Sequence, residues 1–167
     1  MTIQARSAAL AARDAVPSGK ASYSVGPRRL YVQHATVEVT NGNGIGSRYL
    51  LVEIPSNAVM SSLIVMNDAI TSAAADFGIY RTPRDGGTVV DADCFGSAVS
   101  IATAGTTGTN VLHESGVLDI AEIEQPLWQV LGFTSDPGVS FDLVATLTAA
   151  ATATGTLTVR VEYTQGN

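Results

Sequence analysis

The sequence is poor in cysteine, which excludes two common ways of stabilising a small protein. Cys94 is the single cysteine among 167 residues, so no disulfide can form within the chain. A metal cluster built on several cysteines is excluded for the same reason. We predict that Cys94, between Asp93 and Phe95, is a small core or half-buried residue.

Long apolar runs are also missing. No stretch approaches the roughly 18 apolar residues of a membrane-spanning helix. The run from Ala8 to Ala12 is too short for the apolar region of a signal peptide, and Arg13 follows it directly. We therefore expect no membrane partner, and a protein that is made in a cytoplasm and stays soluble or assembles there.

Charge is scarce and unevenly distributed. Charged residues make up 14 % of the chain, against about 25 % in an average soluble domain. This favours a homo-oligomer or another assembly that covers much of the surface, although a weakly charged monomer fits too. Residues 1–48 hold six basic and two acidic residues, whereas residues 49–167 hold three arginines and thirteen acidic residues.

This asymmetry predicts a basic N-terminal arm, residues 1–30, on an acidic body, residues 31–167. Such an arm suits contact with an acidic neighbouring subunit, and a solvated tail is the alternative. Nucleic acid is a poorer partner, because the basic residues are dispersed and few aromatic residues lie near them. The candidate partner-binding residues are Arg6, Arg13, Lys20, Arg28 and Arg29.

The clearest structural pattern is the strict alternation of apolar residues near the C terminus. Aromatic residues make up 6 % of the chain, and richness in Thr, Val and Gly favours strands and tight turns. Two alternating runs are joined by small residues from Ala149 to Gly155, which predicts a long antiparallel hairpin over residues 138–163. The residues expected to point inward are Phe141, Leu143, Ala145 and Leu147, then Leu157, Val159, Val161 and Tyr163.

The whole body has the pattern of an all-β protein. Eight or nine short strands alternate with Gly, Pro and Asn turns, and the helical spacing of a parallel α/β sheet is missing. We predict an antiparallel β-sandwich, jelly-roll-like, with an extended N-terminal arm; an immunoglobulin-like sandwich is the alternative. The core residues predicted most firmly are Phe77, Ile79, Phe141, Leu143, Leu157, Val159 and Val161.

Catalytic patterns are weak. A hydrolytic triad would need His34 or His113 beside a nucleophile, and the sequence has no Gly-x-Ser-x-Gly elbow. The glycine-rich run from Asn41 to Gly46 superficially resembles a phosphate loop. It has no lysine and no following helix, so we predict a hairpin turn. We expect surface or interface histidines and no enzyme.

Ligand sites are equally poorly indicated. Asp85, Asp91 and Asp93 could supply oxygen ligands to Ca²⁺, but the ordinary role of such residues is to cap turns at strand ends. Trp128 is the sole tryptophan, and its apolar neighbours predict a core position rather than a sugar-stacking surface. We therefore predict no metal site and no cofactor.

Several stretches of the body resemble small virion structural proteins of tailed bacteriophages. The resemblance covers residues 59–164, excludes the arm, and depends on the order and spacing of the matching stretches. It is carried by Phe77–Thr82, the Gly86-Gly87 loop, Val89–Phe95, Leu127–Gly132, Ser135–Gly138 and Phe141–Leu143 with the Ala/Thr turn that follows.

The resemblance implies a β-sandwich associated with a capsid, as a decoration or cement protein that clasps neighbouring capsid subunits. The major capsid protein or other virion subunits would be its partners, and the virion its location. The alternatives are a neck or tail adaptor, or a head-fibre-base protein, and a glycan-binding β-sandwich module.

Overall fold

The computed structural model describes residues 29–165, which form two four-stranded antiparallel sheets packed face to face. The first sheet has the order β1-β8-β3-β6 and the second the order β2-β7-β4-β5. The strands are β1 (Leu30–Val39), β2 (Arg48–Pro55), β3 (Ala58–Asn67), β4 (Ala74–Arg81), β5 (Val89–Ser100), β6 (Thr109–Asn110), β7 (Ser140–Ala149) and β8 (Gly155–Gln165).

The pairing follows one simple scheme. β1 pairs with β8, β2 with β7, β3 with β6 and β4 with β5, so the first half of the chain lies antiparallel to the second half. Two further pairings, β3 with β8 and β4 with β7, join these strand pairs into the two four-stranded sheets. This is the topology of a jelly roll, and it confirms the predicted all-β, jelly-roll-like sandwich.

The predicted hairpin over residues 138–163 is wrong in its pairing and right in its faces. The residues expected to point inward are buried in both strands, with Phe141, Leu143, Leu157 and Val159 completely buried, although Val144 on the opposite face of β7 is buried as well. However, β7 belongs to one sheet and β8 to the other. The small residues between them carry the chain across the sandwich, because each strand finds its partners in the first half of the sequence.

The predicted hairpin turn over Asn41–Gly46 is wrong for the same reason. The segment joins β1 in one sheet to β2 in the other. Its backbone bonds to the crossing after β7, with Gly42 N donating to Ala151 O at 2.9 Å and Ala151 N donating to Asn43 O at 3.0 Å. The two crossings therefore hold each other at one end of the sandwich.

The core lies between the two sheets and contains all seven residues predicted for it. Phe77, Ile79 and Val161 are also completely buried there. Cys94 has no exposed surface, which confirms its core position, and burial raises the pKa of its thiol well above the ordinary value, with Asp91 and Asp93 adding to the shift. The thiol therefore stays protonated and packs as an apolar group.

The chain between β5 and β7 is mostly irregular. Its one strand, β6, is two residues long. The rest contains a 3-10 helix at Ile120–Glu122 and one helical turn, α1 (Leu127–Val130). Among residues 29–165, no helix has the length and hydropathy needed to span a membrane.

Candidate partner-binding surface

Of the five candidate partner-binding residues, one falls within the described part of the chain. Arg6, Arg13, Lys20 and Arg28 lie outside the described residues. Arg29 is exposed immediately before β1, at the end of the sandwich where β1 begins and β8 ends. We call this the terminal end, because the described residues begin and end here.

Arg29 is held by a short stack of aromatic side chains. Its guanidinium carbon lies 5.6 Å from the ring centroid of Tyr31, and Tyr31 stacks on Tyr163 with 5.6 Å between ring centroids. Gln33 Nε2 donates to the Tyr163 hydroxyl at 2.8 Å. These contacts tie the beginning of β1 to the end of β8 and fix the place from which the N-terminal segment departs.

An acidic cleft lies beside the terminal end, on the outer face of the second sheet. It has a volume of about 570 Å³. Glu53 of β2 and Asp142 of β7 are direct cross-strand partners in it. The cleft is lined by Glu53, Thr82, Pro83, Arg84, Asp85, Val139, Ser140 and Asp142.

The carboxylates of this cleft repel each other. Partial burial raises the pKa of Asp142, and the nearby charge of Glu53 raises it further. Like charges directly opposite each other in a sheet are unfavourable, so the pair weakens the body instead of stabilising it. The alternation of each strand places its acidic side chain outward, and the sequence alone could have shown this. That Glu53 and Asp142 lie opposite each other could not have been shown, because it depends on how the two strands pair.

The histidines occupy unrelated positions. His34 is exposed on the outer face of β1. His113 is half-buried, and its Nδ1 lies 2.7 Å from the carbonyl oxygen of Leu118, which positions the ring N–H to hold the loop between them. Both positions fit the expectation of surface or interface imidazoles.

Two of the three aspartates proposed to cap turns make local hydrogen bonds. Asp91 Oδ1 accepts from the backbone N–H of Asp93 at 3.2 Å, and Asp85 Oδ2 accepts from the Thr82 hydroxyl at 3.0 Å. Within residues 29–165, no group of three or more His, Cys, Asp or Glu side chains is arranged to hold a metal ion. The observed bonds are those of turn stabilisation.

The predicted core position of Trp128 is wrong. Its neighbour Leu127 is the buried residue of α1, and Trp128 itself is half-buried at the terminal end. The backbone N–H of Trp128 donates to Ser56 O at 3.0 Å, which anchors α1 to the loop between β2 and β3. One helical turn has too few residues to show which face is inward, so neighbouring apolar residues misled the prediction.

The comparisons with known proteins give a likeness in structure without a likeness in sequence. No protein-family model matches the chain, and no curated protein matches it either. A chain of the capsid asymmetric unit of cyanophage Pam1 has the same fold, with a TM-score of 0.51 and 16 % sequence identity. The match covers 83 % of this chain and 86 % of that chain.

A second solved structure gives the same result. A chain from the capsid of Ralstonia phage GP4 matches with a TM-score of 0.57 and 15 % identity, again over 83 % of this chain and 86 % of that chain. At this level of identity the likeness concerns the fold alone.

Proposed function

We propose that this chain is a structural, non-enzymatic protein of a bacteriophage particle, and that it decorates the capsid as a cement protein. The observation that carries the proposal is the jelly-roll body that it shares, over most of its length, with chains from two phage capsids. The order and spacing of residues in its body, which resemble small phage virion proteins, point the same way.

The charge distribution supports contact with other subunits. Residues 29–165 contain five arginines and fourteen acidic residues, whereas residues 1–28 contain four basic residues and one acidic residue. A cement protein stabilises a shell by burying area across neighbouring subunits, and an extended arm adds such area with few residues. Arg6, Arg13, Lys20, Arg28 and Arg29 would contact acidic surfaces of the major capsid protein or of other copies.

The test is to purify particles from the phage-infected host and locate the chain in them by mass spectrometry and cryo-EM. The cement role predicts regular density over the shell, in a copy number that matches the shell symmetry. Deleting residues 1–25 should leave a folded body and lower its occupancy on the shell. Absence of the chain from the particles would overturn the proposal, and unchanged occupancy would overturn the role of the arm.

A neck or tail adaptor, or a head-fibre-base protein, is the second candidate within the same class. The same fold and the same arm would serve there, so the distinction rests on position. Density confined to one unique vertex, in few copies, would favour the adaptor. Density at the base of a fibre on the head would favour the fibre-base role.

The half-buried Trp128 is the specific observation that keeps a glycan-binding module as a further candidate. Aromatic rings that are partly exposed can stack on sugars. A glycan array read with the wild type and with Trp128→Ala tests this role. Binding that the substitution removes would support it, and no binding by either protein would exclude it for the glycans tested.

A further inference from the structure

β1, an outer strand of the first sheet, differs from the other three edge strands of this body. The outer strands are β1 and β6 in one sheet and β2 and β5 in the other. An edge strand presents free backbone N–H and C=O groups to any chain that can add a strand, and most proteins obstruct such edges. Three of these four edges are obstructed.

Each of the three obstructed edge strands has a feature that hinders the addition of another strand. β6 is two residues long, and β5 pairs with β4 through repeated register shifts. β2 has a bulge between Leu50 and Val52 and ends at Pro55, while Gln33 Nε2 donates to its Glu53 carbonyl oxygen at 3.2 Å. Bulges, short length and proline all hinder the addition of another strand.

β1 is neither short nor bulged, and it contains no proline. It pairs with β8 in continuous register over all ten residues and contains no lysine. Within residues 29–165, β8 is the one strand that pairs with it in a sheet, and β2 lies beside it in the other sheet, where Gln33 Nε2 reaches Glu53 O. The outer face of β1 exposes Leu30 and Val32, at 52 % and 48 % of their surfaces. A long, regular edge strand with exposed apolar side chains can pair with a further strand.

The segment just before β1 has the sequence of such a strand. From Ala21 to Val25, Ala, Tyr and Val alternate with Ser22 and Ser24, and Gly26-Pro27 follows. Alternation over a short run that is bounded by Gly and Pro is typical of an edge strand. The charges also match, because residues 1–28 are net basic and the body is strongly acidic.

The direction in which the chain enters β1 indicates whether the segment Ala21–Val25 adds to the β1 edge of its own molecule or to that of a neighbouring copy. Arg29 lies against the ring of Tyr31, so residues 29 and 31 share a face and the backbone is extended between them. The chain thus enters in line with the strand. Returning to its own edge would require a reversal within residues 26–28, where Pro27 favours an extended residue before it.

We propose that Ala21–Val25 of a neighbouring copy adds a strand to the free edge of β1, so that copies of this chain are joined by exchanged arms. The inference deepens the proposed clasping role of the arm by naming the receiving surface and a second copy as its donor. It concerns association in solution, so failure to find the chain in a particle would leave it standing, and its own failure would leave the virion role standing.

The first experiment measures the mass of the purified full chain by sedimentation over a range of concentrations. The wild type should exceed the single-chain mass of 17.2 kDa. Tyr23→Ser combined with Val25→Ser should return it to that mass, because the apolar face of the added strand is lost. The matched control, Ser22→Ala with Ser24→Ala, alters the opposite face and should remain associated.

The second experiment locates the contact by mixing two singly substituted proteins with a short bismaleimide. Ser24→Cys should form a heterodimer with His34→Cys, on β1, and not with Val89→Cys, another exposed position, on the β5 edge. Native Cys94 is completely buried and does not compete.

Four outcomes would overturn the inference. These are a wild type at the single-chain mass at every concentration, association that survives the Tyr23/Val25 substitutions, and equal cross-linking to both edges. The fourth is a chain carrying both Ser24→Cys and His34→Cys that cross-links within itself alone, which would mean that the segment folds back onto its own β1.

Discussion

At the scale of single residues, Gly78 shows how closely the strands of the second sheet approach each other. A Cβ atom built on Gly78 would lie 2.1 Å from the carbonyl carbon of Ala92 and 2.3 Å from the carbonyl oxygen of Asp91. Both are backbone atoms of β5, which cannot rotate away as a side chain can. The irregular course of β5 across β4 therefore requires glycine at this position.

Gly78→Ala should destabilise the body by about 3 kcal/mol or prevent folding, because β5 would have to shift. Thermal or urea unfolding followed by circular dichroism measures the loss. Gly44→Ala is the control, since nothing lies within 4 Å of a Cβ there, and it should cost less than about 1 kcal/mol. Equal effects of the two substitutions would contradict the close contact.

The Glu53–Asp142 pair gives a prediction for pH dependence. Burial and Glu53 raise the pKa of Asp142 above its ordinary value of 3.8. The folded state therefore binds this proton more tightly than the unfolded state, and ionisation of Asp142 costs stability as the pH rises through that range. Asp142→Asn removes the cost, so it should raise Tm at pH 7.

The gain from Asp142→Asn should shrink as the pH falls, and it should vanish below about pH 3.8, where the wild-type carboxyl is protonated in both states. Calorimetry across this range measures it. Glu124→Gln, at an exposed position, is the control for the loss of one negative charge and should leave Tm almost unchanged. A gain that persists undiminished at low pH would show that packing, not ionisation, is responsible.

At the scale of strands, the sequence predicts faces well and partners poorly. Period-two alternation identifies the buried side of β7 and β8 from the residues of each strand alone, and every inward residue named for them is buried. Pairing depends on residues far away, because Leu30 pairs with Thr164. A short connection between two consecutive strands suggests a hairpin when only the sequence is known. In a jelly roll, such a connection can instead cross from one sheet to the other.

The central strands should be the most protected part of the molecule. β8 has hydrogen-bonded neighbours on both sides, β1 and β3, and β7 lies likewise between β2 and β4. Hydrogen exchange followed by mass spectrometry should therefore find the slowest amides in β7 and β8. Among residues 29–165, the irregular segment from 102 to 107 should exchange much faster than either strand. Slower exchange in β6 than in β8 would contradict the strand order.

At the scale of the whole molecule, the sequence indicates the class of fold, and the structural comparisons agree with it. The function proposed for the chain rests on likeness to other proteins, and within residues 29–165 no group of three or more His, Cys, Asp or Glu side chains is arranged to hold a metal ion. The receiving edge of β1 could not be predicted from sequence, because an edge is defined by strand order. Its two exposed apolar side chains, Leu30 and Val32, look like ordinary strand residues until that order is known.

Pairing of β1 with β8 also makes the body suitable for circular permutation. Joining residue 167 to residue 1 lets the N-terminal segment serve as the linker, and new ends can be opened between Thr106 and Thr107, which are exposed. We expect this permutant to fold with nearly the wild-type Tm, measured by circular dichroism. Opening the chain between Val159 and Arg160, in a central strand, should abolish folding, and survival of that variant would contradict the role of β8.

The position at which β8 ends has a practical consequence for labelling. A fluorescent tag or foreign peptide fused after residue 167 would follow within two residues of the end of β8, at the terminal end, where β1 also begins. The crossing between β1 and β2 lies at the other end of the sandwich and holds Ile45, which is 74 % exposed. An epitope inserted beside Ile45 would therefore be displayed at the opposite end of the sandwich from the terminal end, which makes this loop the better place for a reporter or an antigen.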